Sequence, residues 1–406
     1  MHVVVASFGS HGDFNPLLAI AGALVRRGVT VTFVANPFYE RRVTSTGSRF
    51  VGAGTFLDIF AALSANPRYL STGRGGLAIW KELAVPSIRD TYPAVRDAVR
   101  DVGATAVVSH VLSYGSIWAA LETGVRNVVV TTTSSAWLSR HHPMVFANWR
   151  APRVVQGALT VALRGAGERL LRPVLRRLAV EIGVAKLPDI LPPADLNLGV
   201  WPEWFRPPAP DDPPRARMCG FVFDLVDASQ PLPDDVESFL AAGDAPVVAG
   251  FGSAASLHAA DRYRAVAEAC ERLGRRCVLI GPSAAAVTPA PNLMVVRSAP
   301  YARMFPAASA VVHHGGFGTC AEALRAGKPS LVTPFAFDQF DTAARLDDAG
   351  LGRWAVGTTN SGGAMAATLD SLLRDASVTA AARDAAAKIA AVPDGADRAA
   401  EFIAAL

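Results

Sequence analysis

The sequence predicts an α/β protein built from two doubly wound parallel-sheet domains that face a central cleft. Short apolar strands alternate with amphipathic helices in both halves of the 406-residue chain, a pattern typical of parallel sheets with crossover helices. A proline-rich stretch, residues 201–214, interrupts this alternation, because so much proline suits neither a helix nor a central strand. Glycine-rich loops follow strands in each half, where such folds bind ligands.

The first half opens with a strand at residues 3–6. A helix follows, with Pro16 at its N-terminus and Gly28 at its end. The remaining elements of this half are strands at 29–35, 106–108 and 127–131 and a helix at 117–122.

The alternation restarts after the proline-rich stretch. The predicted elements are strands at 246–251, 276–280, 293–297 and 310–313, a helix at 261–273, and an alanine-rich helical region at 377–406 that is interrupted at 392–395.

Composition excludes several classes of protein. The 51% hydrophobic and 18% charged content fits a globular core. No apolar run reaches the ~18–20 residues that span a membrane, and the first residues lack the features of a signal peptide. The net charge of +4 without a dense basic run argues against nucleic acid. The four cysteines form no zinc pattern and indicate buried thiols in the cytoplasm.

The most informative segment is residues 313–319, His-His-Gly-Gly-Phe-Gly-Thr. It follows an apolar strand and precedes a helix that Gly327 closes. Free N–H groups at such a turn, with the helix dipole, favour phosphate. The histidines add donors that a purely structural turn does not need.

A second loop, residues 8–16, follows the first strand and carries two titratable side chains, His11 and Asp13. Either group can take a proton from an acceptor hydroxyl at a strand end in a cleft. The alternative is that Asp13 caps the helix that begins near Pro16.

These motifs carry a family resemblance. Residues 313–329 and 334–346 resemble the donor-binding signature of inverting nucleotide-sugar glycosyltransferases of the GT-B fold. Residues 36–40, 201–208 and 219–221 are similar to bacterial rhamnolipid-type rhamnosyltransferases and their natural-product relatives. The resemblance implies a UDP- or dTDP-sugar donor, a small, lipophilic or natural-product hydroxyl acceptor, and no metal or other cofactor.

The resemblance also assigns a donor site. In the family's pattern His314 contacts the α-phosphate, whereas Gly318 and Thr319 contact the β-phosphate. The implied donor-binding residues are Gly12, Gly252, Ser253, Ala299, Tyr301, His314, Gly316, Gly318, Thr319, Glu322, Asp338 and Gln339.

Three of these residues are expected to contact sugar hydroxyls. Glu322 would accept from the ribose, and Asp338 and Gln339 from the transferred sugar. Tyr301 is the aromatic residue nearest to the predicted nucleobase loop, in which plant-type enzymes have Trp at the position of Ser298.

Asp13 falls where the family has its catalytic base, with His11 as the second candidate. The family's partner Asp is replaced by His110 at the end of a later strand. The resemblance therefore implies an inverted pair in which the Asp13 carboxylate faces the acceptor and His110 lies behind it. The alternative is that His110 lines the acceptor pocket or packs in the core.

The predicted division follows from the linker and from the resemblance. It comprises an acceptor domain at 1–200, a linker at 201–228, a donor domain at 229–385, and a C-terminal helix at 386–406 that returns to the first domain. The protein is expected to be a monomer or homodimer. Aromatic residues offered for an apolar acceptor, with core packing as the alternative, are Phe14, Phe56, Phe60, Trp80, Trp137, Phe146 and Trp149.

The sequence also bears on three other functions. An NAD-dependent oxidoreductase lacks support because the first loop has no GxGxxG and no acidic residue ends the second strand. A non-hydrolysing sugar-nucleotide epimerase of the same fold and a non-catalytic sugar-nucleotide-binding protein remain as alternatives.

Overall fold

The computed structural model describes residues 1–70, 74–148, 150–184, 194–223, 229–355 and 361–406. Its first half contains a sheet of seven parallel strands. These are β1 (His2–Ala6), β2 (Thr30–Ala35), β3 (Arg49–Gly52), β4 (Ala106–His110), β5 (Arg126–Thr131), β6 (Leu196–Gly199) and β7 (Ala216–Met218). Their order is β3-β2-β1-β4-β5-β6-β7.

The second half contains a sheet of six parallel strands. These are β8 (Val247–Gly250), β9 (Cys277–Ile280), β10 (Leu293–Val296), β11 (Ala310–His313), β12 (Ser330–Val332) and β13 (Gly352–Trp354). Their order is β10-β9-β8-β11-β12-β13. The predicted fold class, two doubly wound parallel sheets, is confirmed.

Helices cover both sheets. In the first half they are α1 (His11–Arg26), α2 (Glu40–Thr44), α3 (Ile59–Ala65), α4 (Arg74–Ile79), α5 (Val85–Val102), α6 (Tyr114–Thr123) and α7 (Arg153–Glu181), with a π-helical turn at Trp80–Ala84 between α4 and α5. Short 3₁₀ turns lie at Pro37–Tyr39, Pro67–Leu70, Ser134–Trp137, Ala255–His258, Pro282–Ala286 and Phe305–Ala307.

The second half has eight described helices. They are α8 (Asp234–Ala241), α9 (Ala260–Arg272), α10 (Tyr301–Met304), α11 (Phe317–Arg325), α12 (Gln339–Asp348), α13 (Gly362–Arg374), α14 (Ala376–Ala390) and α15 (Gly395–Ala404).

The central strands are buried on both faces, which explains their continuous apolar runs. Val3 and Val5 belong to the cluster under α1, whereas Val4 packs on the other face with Tyr92 and Trp118. The four cysteines are free and buried. Among the described helices, none combines the length and the apolarity needed to cross a membrane.

Each sheet has one point at which the strand order reverses. In the first sheet it lies between β1 and β4, where Ala6 pairs with Ser109. In the second it lies between β8 and β11, where His313 pairs with Gly250. Ligands of open α/β sheets bind at such switch points, so each sheet offers one site.

The predicted linker at 201–228 needs correction, because it contains strand β7. Residues 216–218 pair with Asn197, Leu198 and Gly199 and extend the first sheet. A strand of three residues is too short to show an alternating pattern, so the sequence did not reveal it. Residues 224–228 of the linker lie outside the described residues.

The returning helix is α15, which begins at Gly395 and not at residue 386. It packs against α1, and the Arg26 guanidinium lies 2.8 Å from the Asp397 carboxylate. Ala399, Ala400 and Ile403 are buried in the core of the first half. Residues 386–390 belong instead to α14, which packs on α11.

Candidate active site

The first loop places Asp13 in the opening turn of α1. The helix begins at His11, so the predicted start at Pro16 is wrong by more than one turn. The N–H and hydroxyl of Ser10 donate to the Asp13 carboxylate over 3.1 and 3.3 Å, and these bonds hold the helix start. Gly9 has φ +123°, and a Cβ there would lie 2.4 Å from Asp13 Oδ2, so only glycine fits.

His110 lies behind this carboxylate at the end of β4. Its Nδ1 accepts the Leu112 N–H at 3.3 Å, so the ring proton sits on Nε2. Nε2 lies 3.0 Å from Thr132 Oγ1 and 3.6 Å from Asp13 Oδ1. Burial lowers the pKa of His110, and the Asp13 carboxylate partly opposes this shift. The structure thus brings the two predicted partners together, with a neutral imidazole facing the carboxylate.

His11, the second candidate base, packs in an aromatic environment. Its ring centroid lies 4.4 Å from that of Phe60 and 6.2 Å from that of Tyr39. Gly12, beside it, is exposed on the first turn of α1. Phe38, Tyr39, Phe56 and Phe60 form a group of aromatic side chains beside His11, which we call the aromatic wall. The Tyr39 hydroxyl donates to the Gly9 carbonyl over 2.9 Å, so this wall is bonded to the first loop.

The second loop begins with His313 at the end of β11. His313 is fully buried, and its Nδ1 accepts the Gly315 N–H at 3.1 Å, so this imidazole shapes the turn. Gly315 has φ +88°, and a Cβ there would lie 2.7 Å from the Gln339 carbonyl oxygen. The turn therefore packs tightly on the start of α12.

His314 lies between two glycines. A Cβ on Gly316 would lie 2.2 Å from His314 Nε2, and one on Gly252 would lie 2.7 Å from Cε1. Burial lowers the pKa of His314 to about 3, with smaller contributions from His313 and Arg262. The imidazole is therefore neutral at physiological pH and offers an N–H without a positive charge.

The N-terminus of α11 has no side-chain cap. Its N-cap residue is Gly316, so no side chain of the cap residue can accept from the first N–H groups of the helix. Gly318 is exposed with open space around it, whereas Thr319 is 7% exposed. This end of the helix can bind an anion through its N–H groups and dipole.

The turn after β8 contains Gly252, which lies against His314 opposite Gly316. The Gly252 N–H donates to the Tyr301 hydroxyl over 3.1 Å, and the Tyr301 ring stacks on Phe305 with centroids 4.5 Å apart. These contacts give Tyr301 a structural role in the turn, and its nucleobase contact stays a prediction. Ser253 and Ala299 are partly buried. They lie on the loops after β8 and β10, next to Gly252 and two residues before Tyr301.

Two predicted sugar contacts have protein partners in the structure. Glu322 lies 2.5 Å from the Arg325 guanidinium, one turn along α11. The Gln339 side-chain oxygen accepts the N–H groups of Phe335 and Ala336 over 2.8 and 3.1 Å. The Gln339 oxygen thus holds the loop before α12, and both sugar contacts stay predictions.

Asp338 connects the two halves of the cleft. The side chain of Thr133, which follows β5 in the first sheet, lies close enough to the Asp338 carboxylate to lower its pKa. Desolvation raises the pKa of Asp338 to about 6, and the carboxylates of Asp13 and Asp341 add to this shift. Asp13 and Asp338 are therefore close enough to interact electrostatically.

Sequence reasoning missed three residues of this site. Thr132 and Thr133 contact His110 and Asp338, but threonine at a strand end gives no chemical signal. Arg262 donates to the Thr333 carbonyl, its guanidinium lies 3.7 Å from the Phe335 ring centroid, and its charge acts on His314. Arginine inside an amphipathic helix is normally a surface residue, so nothing singled it out.

The aromatic residues proposed for an apolar acceptor divide into two groups. Phe14 and Trp137 are buried in the core, whereas Phe56 is 67% exposed and Phe60 lies beside His11. Trp149 lies outside the described residues. Within the ranges that the structure describes, no group of three or more His, Cys, Asp or Glu side chains is placed to hold a metal ion.

Most of the second half of the chain matches a known protein family. Residues 282–405 match the family described as Erythromycin biosynthesis protein CIII-like, C-terminal domain. The matched region contains His314, the N-terminus of α11 and Asp338, so it includes most of the predicted donor site.

Sequence relatives extend the similarity to the first half. Glycosyltransferase GtfC of Amycolatopsis orientalis is 28% identical over 87% of this chain and 85% of its own length. Sterol 3-beta-glucosyltransferase UGT80A2 of Arabidopsis thaliana is 25% identical over 87% of this chain. The match covers 57% of the plant enzyme, so the chain spans little more than half of that relative.

Solved structures show the same fold over the whole chain. Glycosyltransferase VinC in complex with dTDP has a TM-score of 0.70 at 21% identity, covering 100% of this chain and 99% of its own. Spinosyn rhamnosyltransferase SpnG complexed with thymidine diphosphate has a TM-score of 0.68 at 20% identity, covering 99% and 100%. The chain therefore has the GT-B fold of these structures, and its sequence is similar to glycosyltransferases such as GtfC over most of its length.

Proposed function

We propose that this chain is an inverting glycosyltransferase that moves a sugar from a nucleoside diphosphate donor to a hydroxyl of a small, lipophilic acceptor. The observation that carries the proposal is the pairing of two different switch-point loops. One offers an uncapped helix N-terminus beside a neutral His314, and the other offers the carboxylate of Asp13 backed by His110. An anion site facing a base suits displacement of a diphosphate.

In the proposed reaction Asp13 is the general base. Its carboxylate takes the proton of the acceptor hydroxyl as that oxygen attacks the anomeric carbon from the face opposite the diphosphate. The neutral His110, 3.6 Å away, keeps a ring N–H toward the carboxylate. His110 therefore acts as a positioning residue behind the Asp13 carboxylate.

The bond between the anomeric carbon and the diphosphate oxygen breaks as the new glycosidic bond forms. Negative charge then grows on the leaving diphosphate. The N–H groups at the start of α11 and the His314 N–H stabilise that charge, which favours the transition state over the bound substrate. Because these groups are fixed N–H donors, the proposed mechanism requires no metal ion.

Thymidine diphosphate is the proposed nucleotide of the donor, with uridine diphosphate as the alternative. Support comes from two relatives of the same fold, VinC and SpnG, whose structures contain dTDP. The acceptor is proposed to lie against the aromatic wall beside the base. The Phe38 ring lies 6.0 Å from both Phe56 and Phe60 within this wall.

Calorimetric titration of the protein with dTDP and UDP tests the donor. We expect saturable binding of one of them, with dTDP the tighter. If neither nucleotide binds, the donor assignment is wrong.

Slow donor hydrolysis then separates the candidate functions. Release of free nucleoside diphosphate from a dTDP-sugar, followed by chromatography, supports a transfer site. Conversion to an epimeric sugar nucleotide without release of the diphosphate would favour the non-hydrolysing epimerase of the same fold. Binding without any turnover would favour a non-catalytic protein.

A further inference from the structure

Helix α7, Arg153–Glu181, is the least covered long element of the molecule. Its buried residues are Thr160, Leu175, Leu178 and Ala179, and the last three anchor only its C-terminal third. Nearly half of the exposed large hydrophobic side chains among the described residues lie on this helix, including Val154 at 86% and Leu170 at 69% exposure. A solvent-facing helix of a globular protein normally presents polar residues instead.

Six of the exposed apolar residues form one stripe along the helix. Their spacing of four, four, three, four and four residues keeps them on a single face. They are Val155, Leu159, Leu163, Ala166, Leu170 and Val174. By the same helical period the buried Leu175 and Ala179 lie on the opposite side, so the stripe points away from the protein.

The charge of α7 is as unusual as its apolarity. The helix carries six arginines and two glutamates, an excess of four positive charges, and the whole chain also has a net charge of +4. Outside α7, positive and negative charges therefore balance. Both glutamates face arginines: Glu168 lies 4.0 Å from Arg164, and Glu181 lies 2.8 Å from Arg89.

Basic side chains continue beyond the start of the helix. Arg140 and His141 line an open groove of about 530 Å³ together with Arg153 and the first apolar residues of α7. The acidic group nearest to this loop is Asp211, which accepts the Ser139 hydroxyl and the Arg140 N–H. By the helical period this groove opens on the other side of α7 from the stripe, so basic side chains also surround the start of the helix there.

We propose that the apolar stripe and the arginines that border it, together the α7 face, dock on the headgroup region of a bilayer that contains anionic phospholipid. The stripe enters the boundary between headgroups and acyl chains. The arginines that border it by the helical period, Arg169, Arg176 and Arg177, contact lipid phosphates and rest their aliphatic stems on the apolar surface. With eight charged side chains, the helix lies in the membrane plane and does not cross it.

Charge argues against a second copy of this chain as the occupant. An isologous contact would set two helices with four excess positive charges each against one another. Anionic lipid neutralises the same charges. A lipid surface thus satisfies both the apolar stripe and its charge.

Co-sedimentation with extruded vesicles tests the proposal without any substrate, so its outcome is independent of the proposed function. We expect binding to equimolar phosphatidylcholine and phosphatidylglycerol vesicles at least tenfold stronger than to phosphatidylcholine alone, and weaker as salt rises. The triple variant Leu159→Glu, Leu163→Glu, Leu170→Glu should lose at least tenfold in binding, because it places charge in the stripe.

A matched triple variant, Leu77→Glu, Leu121→Glu, Val392→Glu, makes the same charge change at similarly exposed residues elsewhere. It should retain much more binding than the stripe variant. Equal losses in both variants, or no binding by the unchanged protein, would overturn the proposal. So would a dimer in light scattering that the stripe variant alone converts to monomer, since the stripe would then be an interface between copies. Circular dichroism melting checks that both variants fold.

Discussion

The two loops at the switch points have similar backbones, but the helices that follow them have N-termini with different electrostatic surroundings. In both, a parallel strand leads through glycines with positive φ into a helix that points its N-terminus at the cleft. At α1 that N-terminus is occupied by the protein's own carboxylate, Asp13, bonded to Ser10. At α11 the N-cap is Gly316, and the N–H groups stay available. One fold element thus presents a base in one half and an anion site in the other.

Replacing the Asp13 carboxylate in the first loop should lower turnover more than any other change. Asp13→Asn keeps an oxygen for the Ser10 N–H but cannot take a proton, so turnover should fall at least ~100-fold. Folding and dTDP affinity should not change. Steady-state rates and calorimetric titration measure both properties.

The control for this prediction is His11→Ala, which should have a mild effect because His11 packs on Phe60 and Tyr39. A crippled His11→Ala enzyme with a nearly normal Asp13→Asn enzyme would reverse the assignment of the base.

His314→Ala should weaken the second loop to a smaller degree. It removes an N–H donor to the diphosphate, and a hydrogen bond to a charged acceptor contributes about 1.5–3 kcal/mol, so we expect roughly a 10- to 100-fold loss. The loss should appear in both dTDP affinity and single-turnover rate, because the acceptor charge grows in the transition state.

The matched variant is His313→Ala, which removes the bond to the Gly315 N–H but no direct contact with the donor. It should cost less in affinity and more in melting temperature. Equal losses of affinity in the two variants would show that the anion site is centred elsewhere.

Asp338 provides a test through pH. Its pKa of about 6 lies above its ordinary value of 3.8, so the folded chain binds this proton more tightly than the unfolded chain. Its contribution to stability therefore falls as pH rises from about 4 to about 6. Asp338→Asn should melt about 2–5 °C higher than the unchanged protein near neutral pH.

That difference in melting temperature should shrink as pH falls and approach zero well below pH 3.8, where Asp338 is protonated in both states. Differential scanning calorimetry at several pH values measures it. A constant difference across this range would mean that Asp338 does not titrate near pH 6.

The smallest expected effect concerns the N-terminus of α1, where Ser10 donates to the Asp13 carboxylate. Ser10→Ala removes the hydroxyl that donates to Asp13 over 3.3 Å, which should lower the free energy of unfolding by about 0.5–1.5 kcal/mol. Turnover should fall less than tenfold, because the backbone N–H still holds the carboxylate. Denaturant titration and steady-state kinetics measure the two effects.

Ser377→Ala is the matched control, since it removes a similar hydroxyl bond to Asp375 at the start of α14, far along the chain from the cleft. It should change stability alone. A large loss of turnover in Ser377→Ala would indicate an effect of global stability on the assay.

Local pattern was enough to predict the central strands of both sheets, their parallel arrangement and both loops, but not β3, β6, β7 or β13. The His110–Asp13 proximity followed from the family pattern, because adjacent parallel strands end at the same sheet edge. The Thr133–Asp338 contact joins two halves whose relative placement no local pattern specifies. The hydrogen bonds from the Phe335 and Ala336 N–H groups to the Gln339 side chain were also not predicted. The sequence of a motif does not show whether an amide side chain bonds to the backbone of its own loop.

The returning helix has a consequence for how such enzymes can be recombined. The Gly395 N–H donates to the Phe221 carbonyl over 2.9 Å, and a Cβ on Gly395 would lie 2.5 Å from the carbonyl oxygens of Gly220 and Phe221. The chain thus leaves the first half and re-enters it at one spot. A segment whose two ends meet in this way can be exchanged as a cassette, so the donor half of a relative could be grafted here with only two junctions, both beside these glycines.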